Sequence, residues 1–443
     1  MTIDLRIPYP ILVFFTTLLL CISHLLAAQK AITLADAIKI GLINNYSIKI
    51  AEKKEKIAQL HNTPASAGQY PTIDLFLAQN NQINSINDPT AFVNGFYRNN
   101  GLNANAEVNW TIFDGFKVKI NKERLAQLEK ESAGHTALVV ENTIHAIILT
   151  YNKVLMEEER LKIIRQMYGI SRGRYYEEIQ KRYAGLSSDF DVLQFENAFL
   201  ADSLDAILQK STLEMAMIDL NLSMGENENK IYRLLDPFTY GTEPYRYEVL
   251  KQRMISNSQA LKNEHINLQL IKNQVALQES NKYPRIIVRT GTSPSINSIK
   301  FPDFNPAQGN NLNFYLNFSL SFTLFNGGNL KRSIEAAHLQ QQIANMNLKQ
   351  IELELKGLLK NKTIAYNKQL EIITVSQKRM NNAEKSLTLA EYRYKSGLTS
   401  FLEYRNTQLE YIRAVQTRLN AIYALKSNEI ELMRLLGNVT YYM

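Results

Sequence analysis

The chain has 443 residues, 45% of them hydrophobic, and a formal net charge of +8. It is long enough for a sizeable core, and its mean hydropathy of −0.24 is too low for a protein built of many membrane-spanning helices. Lysine and arginine are spread along the chain and mixed with glutamate, so no basic block typical of nucleic-acid binding is present.

The N-terminal segment, residues 1–28, has the pattern of a secretory signal peptide. An apolar run covers residues 11–28 and ends in Ala27-Ala28, which offers a small-residue cleavage site. A membrane anchor is the alternative, because the run is near the lower length limit for a spanning helix. Cys21 is the only cysteine, and Leu20 stands before it where a lipoprotein signal requires a smaller residue. We therefore expect no lipidation, and no disulfide in the mature chain.

The rest of the chain contains two copies of one unit of roughly 210 residues. The motif WTIFDGFKVK begins at Trp110 and FTLFNGGNLK at Phe322, a separation of 322 − 110 = 212. The motif YPTIDL begins at Tyr70 and YPRIIV at Tyr283, a separation of 283 − 70 = 213. Two further pairs, RYAGLSSDF with RYKSGLTSF and LSMG with RLLG, follow in the same order at nearly the same offset.

Both copies predict the same order of elements: a helix ending at Tyr-Pro, two strands, and a long helical hairpin. Pro71 and Pro284 end the first helices, because proline lacks an N–H and pushes the preceding residue toward extended conformations. The predicted segments are 1–28 signal peptide, 29–69 N-terminal helix, 70–113 first β-hairpin, 114–225 first helical hairpin, 226–244 linker, 245–283 helix of the second copy, 284–325 second β-hairpin, 326–437 second helical hairpin and 438–443 C-terminal tail.

The strands are predicted from strict alternation of apolar and polar residues. From Leu312 to Leu324 every second residue is Leu or Phe, and Asn, Tyr, Ser and Thr stand between them. Residues 73–77 and 106–112 alternate in the same way in the first copy. The segments between these strands, 80–103 and 293–311, are rich in Asn, Gly and Pro and are predicted to be loops.

Very long helices follow the strands. No proline occurs from Gly115 to Tyr183, and apolar residues recur at helical spacing, which predicts a helix roughly 100 Å long. A helix of that length indicates a coiled-coil-like rod. The glycines 185 and 397 are predicted to end the long helices, and the serines 188 and 400 to cap the returning helices.

Each returning helix is too short to match the long one and needs a second helix stacked on its end. The sequence order favours 189–224 continued by 245–281, with 225–244 bulging out between them. The returning helix at 401–436 would then be continued by the helix at 33–63.

The apolar faces of the four strands need a cover, and the remaining sequence offers no second layer for it. Lipid is the available cover, and only closed barrels place strands in lipid. Four strands are too few to close, since transmembrane barrels start at about eight. The sequence therefore predicts an oligomer with lipid outside the strands and water inside.

The ordered set of motifs resembles the TolC-like outer-membrane efflux proteins. The duplication, the Tyr-Pro junctions, LFNGG at 324–328 and YKSGLTSFLEY at 394–404 carry the resemblance. It implies a mixed α and β membrane protein, in which each protomer gives four strands to a trimeric twelve-stranded barrel and adds a long coiled-coil periplasmic tunnel. It also implies an outer-membrane homotrimer of a Gram-negative bacterium that passively conducts substrates. Its implied partners in tripartite efflux or type I secretion are a periplasmic adaptor protein and an inner-membrane pump of the RND, ABC or MFS type.

Similar proteins close the periplasmic end of the tunnel with acidic residues at the helix-turn-helix tips. The resemblance assigns the gate to Asp191, Glu403, Tyr394 and Asp189. A three-fold axis would turn each carboxylate into a ring of charge that selects cations. Helix capping is the alternative, because Asp191 and Glu403 each follow a serine at capping-box spacing, and the two roles are compatible.

The tips depart from the family pattern in ways that affect the latch. Ser187 and Thr399 stand where an arginine is expected, and Asn406 stands where a second acid is expected. Other partners such as Arg405 would then hold the closed form.

The resemblance assigns one more set of residues, and the position of Trp110 at the helix end of a strand indicates another. The residues at the tips that contact the adaptor are Gly185, Leu186, Ser187, Gly397, Leu398 and Thr399; a Schellman turn is the alternative reading. The interfacial aromatic residues are Trp110, Phe113 and Phe325; packing at the barrel–rod junction is the alternative.

Signals for an enzyme are absent from the sequence. The six histidines occur singly, and Gly327-Gly328 lacks the other residues of a phosphate loop. We expect no catalytic residue, metal or cofactor. A non-transporting coiled-coil envelope scaffold or adhesin remains the alternative function.

Overall fold

The computed structural model describes residues 30–90 and 94–438. The predicted signal peptide and all of the predicted tail except Asn438 lie outside the described residues. In chain order the elements are β1 Lys30–Ile32, α1 Leu34–Asn44, α2 Tyr46–His61, β2 Thr72–Ile86, β3 Gly95–Phe113, α3 Lys117–Tyr183, α4 Asp189–Met224, β4 Tyr232–Leu234, α5 Tyr247–Asn257, α6 Gln259–Ser280, β5 Arg285–Lys300, β6 Ala307–Ser321, α7 Asn329–Lys395 and α8 Phe401–Leu435. In this part of the chain no helix is both long enough and apolar enough to cross a membrane.

The chain divides into two compact units. The first contains the described residues of 1–49, 139–258 and 355–443, and the second those of 50–138 and 259–354. The helices α3 and α7 have 67 residues each and occupy equivalent positions in the two copies of the repeat.

The linker predicted to bulge out at 225–244 is instead docked on the core of the first unit. Its strand β4 pairs in parallel with β1, and Tyr232 and Leu234 are buried. Asp236 then accepts hydrogen bonds from the Leu34 N–H at 2.7 Å and the Tyr151 hydroxyl at 2.6 Å. Strands of three residues are too short to show a period, so the sequence analysis missed both of them.

The expected pairing of helix ends was wrong. Gly225 ends α4 in a left-handed conformation, and a Cβ placed on it would lie 2.8 Å from the backbone of Asn44, where α1 gives way to α2. Gly437 follows α8, and a Cβ there would lie 2.7 Å from the carbonyl of Asn257, where α5 gives way to α6. The returning helix of each copy therefore ends at the break in the first helical segment of the same copy. Helix lengths could not distinguish these two arrangements.

The second unit contains a four-stranded antiparallel sheet in the order β2-β3-β5-β6. Its strands are longer than predicted, and most of 80–103 and 293–311 forms strand rather than loop, for example Asn81 opposite Asn100. Pairing satisfies the backbone of these Asn-rich segments, which propensity alone disfavours in strands. At the other end β6 stops at Ser321, so residues 322–325 lie outside the strand predicted to include them.

The two faces of this sheet differ in chemistry. One face carries large apolar residues that are each at least 60% exposed: Ile73, Leu75, Leu77, Leu312, Phe314, Leu316, Phe318 and Leu320. The cross-strand row Asp74, Glu107, Gly291 and Tyr315 lies on the opposite face. The period of two read from the sequence thus produces one apolar and one polar surface, as predicted.

Gly291 allows a polar clasp across this row. The Tyr315 ring crosses over Gly291, and its hydroxyl donates a hydrogen bond to Glu107 at 2.8 Å. A Cβ at Gly291 would meet the Tyr315 hydroxyl oxygen at 2.8 Å. The clasp joins β3 to β6 across β5 and so fixes the register of three strands.

Candidate functional site

The two helix-turn-helix tips lie in the first unit and share one backbone design. After α3, the Leu186 N–H donates to the Lys181 carbonyl at 2.8 Å, and the Gly185 N–H donates to the Arg182 carbonyl at 2.9 Å. Gly185 has φ of +72°, so the turn is a Schellman motif that glycine favours.

The second tip repeats this geometry. The Leu398 N–H donates to the Arg393 carbonyl at 2.8 Å, and Gly397 has φ of +69°. A Schellman turn usually adds an apolar contact by its last residue. Here Leu186 is 78% exposed and Leu398 66% exposed, so both leucines project from the tips. Ser187 and Thr399 follow them directly in the turns.

Asp191 is engaged by its own helix cap. The Ser188 hydroxyl donates to the Asp191 carboxylate at 2.6 Å, the Ser188 N–H donates to it at 3.2 Å, and the Asp191 N–H donates back to the hydroxyl. The hydrogen bonds from the side chain and backbone of Ser188 hold the pKa of Asp191 below its ordinary value. This is a full capping box at the start of α4.

The other two acidic tip residues also have local partners. The Thr399 hydroxyl donates to the Glu403 carboxylate, and the Glu403 N–H donates to the Ser400 hydroxyl at 3.3 Å. Asp189 forms an ion pair with Arg182 across the first turn. The three carboxylates are thus held within their own turns, on the surface of the chain.

Tyr394 is placed differently, within an aromatic cluster above the second tip. Its ring stacks on Tyr404 at a centroid distance of 5.3 Å, and Phe195 contacts Phe401 at 3.9 Å beside it. The Arg174 guanidinium lies 5.8 Å above the Tyr394 ring. Burial raises the pKa of the Tyr394 hydroxyl. This cluster joins α4, α7 and α8, and the bonds described for Asp191 and Glu403 do not involve it.

Two ion pairs connect the helical hairpins above the tips. Arg405 on α8 binds Asp202 on α4, and Arg174 on α3 binds Glu391 on α7 at 3.1 Å. Arg405 was suggested from the sequence as a substitute latch, whereas Asp202 was missed. A signal for Asp202 existed, because Phe195, Asp202, Gln209 and Ala216 are spaced by seven residues and all four are buried.

The same seam contains a second buried carboxylate, Glu157 of α3. Gln209 donates to it at 2.7 Å, and it pairs with Lys153 at 2.7 Å and with Arg160 at 3.2 Å. Burial alone would raise the pKa of Glu157, but the hydrogen bonds from Lys153 and Gln209 hold it below its usual range. The carboxylate is therefore a charged anchor between α3 and α4.

The predicted interfacial aromatics lie at the base of the sheet in the second unit. Trp110 is opposite Val288 on the apolar face, and its indole N–H donates to the Gln69 carbonyl at 3.3 Å. Phe113 contacts Phe116 edge-on at 5.3 Å. Phe325 is 86% exposed and lies beyond the end of β6.

The strand-to-helix turns of the two copies place different residues at an equivalent position with positive φ. Phe116 has φ of +70°, a rare conformation for a bulky residue, whereas the equivalent Gly328 has φ of +76°. The Phe116 ring contacts the Tyr283 ring edge-on at a centroid distance of 5.8 Å, in addition to its contact with Phe113. Packing around the Phe116 ring thus stabilises a positive φ, which glycine adopts without strain at the equivalent position of the second copy.

Metal-ligating side chains do not gather into a site in the part of the chain that the structure describes. In residues 30–90 and 94–438 no three His, Cys, Asp or Glu side chains lie together in a way that could hold a metal ion.

Comparison with known proteins gives the class of this fold. Residues 250–438 match the family model described as outer membrane efflux protein. The chain is 23% identical over 424 residues to the cation efflux system protein CusC of Escherichia coli (strain K12), covering 90% of this chain and 84% of the relative.

Solved structures show the same fold. The CmeC outer membrane channel of Campylobacter jejuni superposes with a TM-score of 0.75 at 13% identity, covering 91% of this chain and 85% of that chain. The open state of the MtrE outer membrane channel of Neisseria gonorrhoeae gives 0.70 at 16% identity, covering 91% and 88%.

The fold is that of outer-membrane channel proteins, which carry a helical tunnel and a β-barrel. The resemblance read from the sequence is confirmed: residues 250–438 match the outer membrane efflux protein family, and the relatives are outer-membrane channels with a large periplasmic portion. Its relatives are channels and not enzymes.

Proposed function

We propose that three copies of this chain form the passive exit duct of a tripartite efflux or type I secretion system. The observation that carries the proposal is the four-stranded sheet, which has an exposed apolar face, an opposite polar face and unpaired outer edges on β2 and β6. Such edges need neighbours in lipid, and three sheets of four strands would supply them in a closed barrel of about twelve strands. The polar face would then line a water-filled lumen.

The long helices support the same assembly. Exposed apolar residues recur on α4 at Leu193, Leu200 and Ile207, and on α7 at Leu339, Met346 and Leu353. A spacing of seven residues is the repeat of a coiled-coil seam. These stripes provide the contacts through which neighbouring copies would pack into a tunnel.

The tips are proposed to meet the periplasmic adaptor protein. Leu186 and Leu398 carry the argument, because both are exposed on rigid turns and lack the apolar contact that usually completes such a turn. The residues flanking them in the two turns, Gly185, Ser187, Gly397 and Thr399, allow close approach and offer hydroxyl groups. An inner-membrane pump of the RND, ABC or MFS type would supply the energy.

The periplasmic gate is proposed to combine the carboxylates with the hairpin contacts above them. Asp191, Glu403 and Asp189 would form rings of negative charge around the three-fold axis. The cap bonds of Asp191 and Glu403 and the ion pair of Asp189 with Arg182 hold these side chains in place. Tyr394 and the Asp202–Arg405 pair would hold the hairpins in the closed arrangement. At the sheet base, Trp110, Phe113 and Phe325 are proposed to lie at the membrane interface.

Single-channel conductance in a planar bilayer tests the proposal. The detergent-purified protein should give a small conductance, and the variant Asp191→Ala/Glu403→Ala should give a larger one because the charged constriction is removed. The control Glu214→Ala/Glu371→Ala removes two exposed carboxylates on α4 and α7 away from the tips and should leave conductance unchanged.

Two other outcomes separate the parts of the proposal. If the wild type conducts and the variant Asp191→Ala/Glu403→Ala has the same conductance, the two carboxylates act only as helix caps. The proposal of a duct would then still stand. A stable oligomer that never conducts would contradict the duct and favour the envelope scaffold or adhesin.

A further inference from the structure

Two basic residues lie directly opposite each other on the apolar face of the sheet, near the loop ends of β3 and β5. Arg98 of β3 pairs in register with Lys300 of β5. The register between these strands is unbroken from there to Thr111, so both side chains lie on the same face as Leu75 and Phe314. Both residues are exposed.

This pair has no partner of opposite charge among residues 30–90 and 94–438. Like charges directly opposite on one face destabilise a sheet, so an anion between them would be stabilising. The acids of the two adjoining loops do not supply it. Asp88 accepts hydrogen bonds from Thr90, and Asp303 forms no ion pair with either cation.

Apolar and aromatic side chains surround the cations. Ile83 lies opposite Arg98 on β2 and is 70% exposed, and Phe96 is 67% exposed two residues before Arg98. Together with Phe301 they line a groove of about 430 Å³ that also reaches Lys300. Cations rimmed by exposed apolar groups suit a ligand that has both charged and hydrocarbon parts.

The height of the pair fits the headgroup region of a membrane. Along β5 the last apolar residue on this face is Ile296, and Lys300 is four residues further. At about 3.3 Å per residue this is about 13 Å along the strand, or about 10 Å along the membrane normal for a strand tilted by about 40°. Arginine and lysine side chains can reach down over several ångströms of that distance.

We propose that Arg98 and Lys300 bind the phosphate groups of a phosphorylated glycolipid in the outer leaflet of the outer membrane. The inference rests on the proposed function, because it requires the apolar face to meet lipid. Two adjacent cations form charge-assisted hydrogen bonds with phosphate oxygens, and Ile83, level with Arg98, and Phe96, nearer the loop, offer apolar contacts to the same lipid. The contact fixes the depth and rotation of each sheet in the membrane.

Native mass spectrometry of the full detergent-solubilised oligomer tests this proposal with diphosphoryl lipid A as the probe. The variant Arg98→Gln/Lys300→Gln should bind the lipid at least about tenfold more weakly than the wild type, because two charge-assisted contacts are lost. The matched control Arg285→Gln/Arg289→Gln removes two cations from the opposite face of β5 and should bind like the wild type.

Lipid A without its phosphates and excess inorganic phosphate complete the test. The dephosphorylated lipid should bind wild type and variant equally, and inorganic phosphate should leave the lipid bound. Equal binding of diphosphoryl lipid A to wild type and variant, or its displacement by inorganic phosphate, would overturn the proposal. Conductance recorded on the same preparations separates the two ideas: a conducting channel with unchanged lipid binding refutes only the lipid site.

Discussion

Arg405 on α8 forms a bidentate salt bridge with Asp202 on α4, at N–O distances of 2.8 and 2.5 Å. The two side chains are only 12% and 3% exposed. The helices belong to different copies of the repeat, so this pair ties the two helical hairpins together close to the second tip, where Arg405 follows the cap residue Ser400. Removing one partner of such a largely buried ion pair is costly, because the remaining charge is left unpaired.

The variant Asp202→Asn is expected to loosen the tips. It removes one charge, leaves Arg405 without a full counter-ion and costs about 3 kcal/mol of stability. Single-channel recordings should show a larger mean conductance or more frequent openings. The control Arg379→Gln disrupts the exposed Arg379–Glu410 pair between α7 and α8 and should change neither. If the Asp202→Asn variant has the conductance of the wild type, the Asp202–Arg405 pair is not part of the gate.

Gly225 is expected to tolerate no side chain. The variant Gly225→Ala forces a Cβ against the Asn44 backbone at a φ of +70° and should cost about 2 kcal/mol or more. Thermal unfolding followed by circular dichroism measures the loss. Gly169→Ala is the matched control, since Gly169 lies within α3 with open space around it and should gain about 0.5–1 kcal/mol. Equal melting temperatures for the two variants would contradict the close packing at Asn44.

The clasp over Gly291 is expected to stabilise the sheet. Tyr315→Phe should cost about 1 kcal/mol by losing the hydrogen bond to Glu107. Gly291→Val should cost more, since it displaces the ring as well. The temperature at which strand circular dichroism is lost on heating reports both changes. Ser295→Val, on the same face of β5, is the control and should have a smaller effect; a ranking with Ser295→Val as the most damaging would refute the clasp.

Glu431 is expected to make the stability of the protein depend on pH in the acidic range. Its carboxylate accepts hydrogen bonds from His145 at 3.1 Å and Arg434 at 2.8 Å, and these hold the pKa of Glu431 well below its ordinary value of about 4.3. A depressed folded-state pKa contributes stability that is fully present above the unfolded value and is lost as the pH falls below it.

The variant Glu431→Gln should therefore lose about 1–3 kcal/mol of its free energy of unfolding at pH 7. It should melt at a lower temperature than the wild type at that pH. The difference should shrink as the pH is lowered through the range below about 4.3. Glu371→Gln, at an exposed pair with Lys368, should match the wild type throughout. A difference between wild type and Glu431→Gln that stays constant down to the lowest pH would show that the carboxylate charge is not the cause.

Local patterns in the sequence predicted much of the fold. The period of two around Leu316 predicted the apolar face, and the turn glycines 185 and 397 were predicted to end the two long helices. The strands at 80–103 and 293–311 were missed, because asparagine in a strand depends on pairing with a neighbour rather than on its own preference. The capping box of Ser188 and Asp191 was readable, because both partners lie within four residues.

Contacts between distant segments needed the tertiary structure. Asp202 and Arg405 are 203 positions apart, and Tyr315 and Glu107 are 208 apart. Both pairs depend on how the two copies of the repeat are placed side by side. The ends of α4 and α8 meet helix breaks that sequence order had assigned the other way round.

The sequence by itself determined the repeat, the order of the long helices and of the strands of the sheet, and the chemistry of each face, because these follow from backbone periods of two and 3.6 residues. Only the tertiary structure decided which faces and ends meet. That choice depends on side-chain packing and on charge pairs such as Asp202–Arg405, which form between residues far apart in the chain. Arg98 and Lys300 show the same division: each is an ordinary cation in the sequence, and the register of β3 with β5 makes them neighbours.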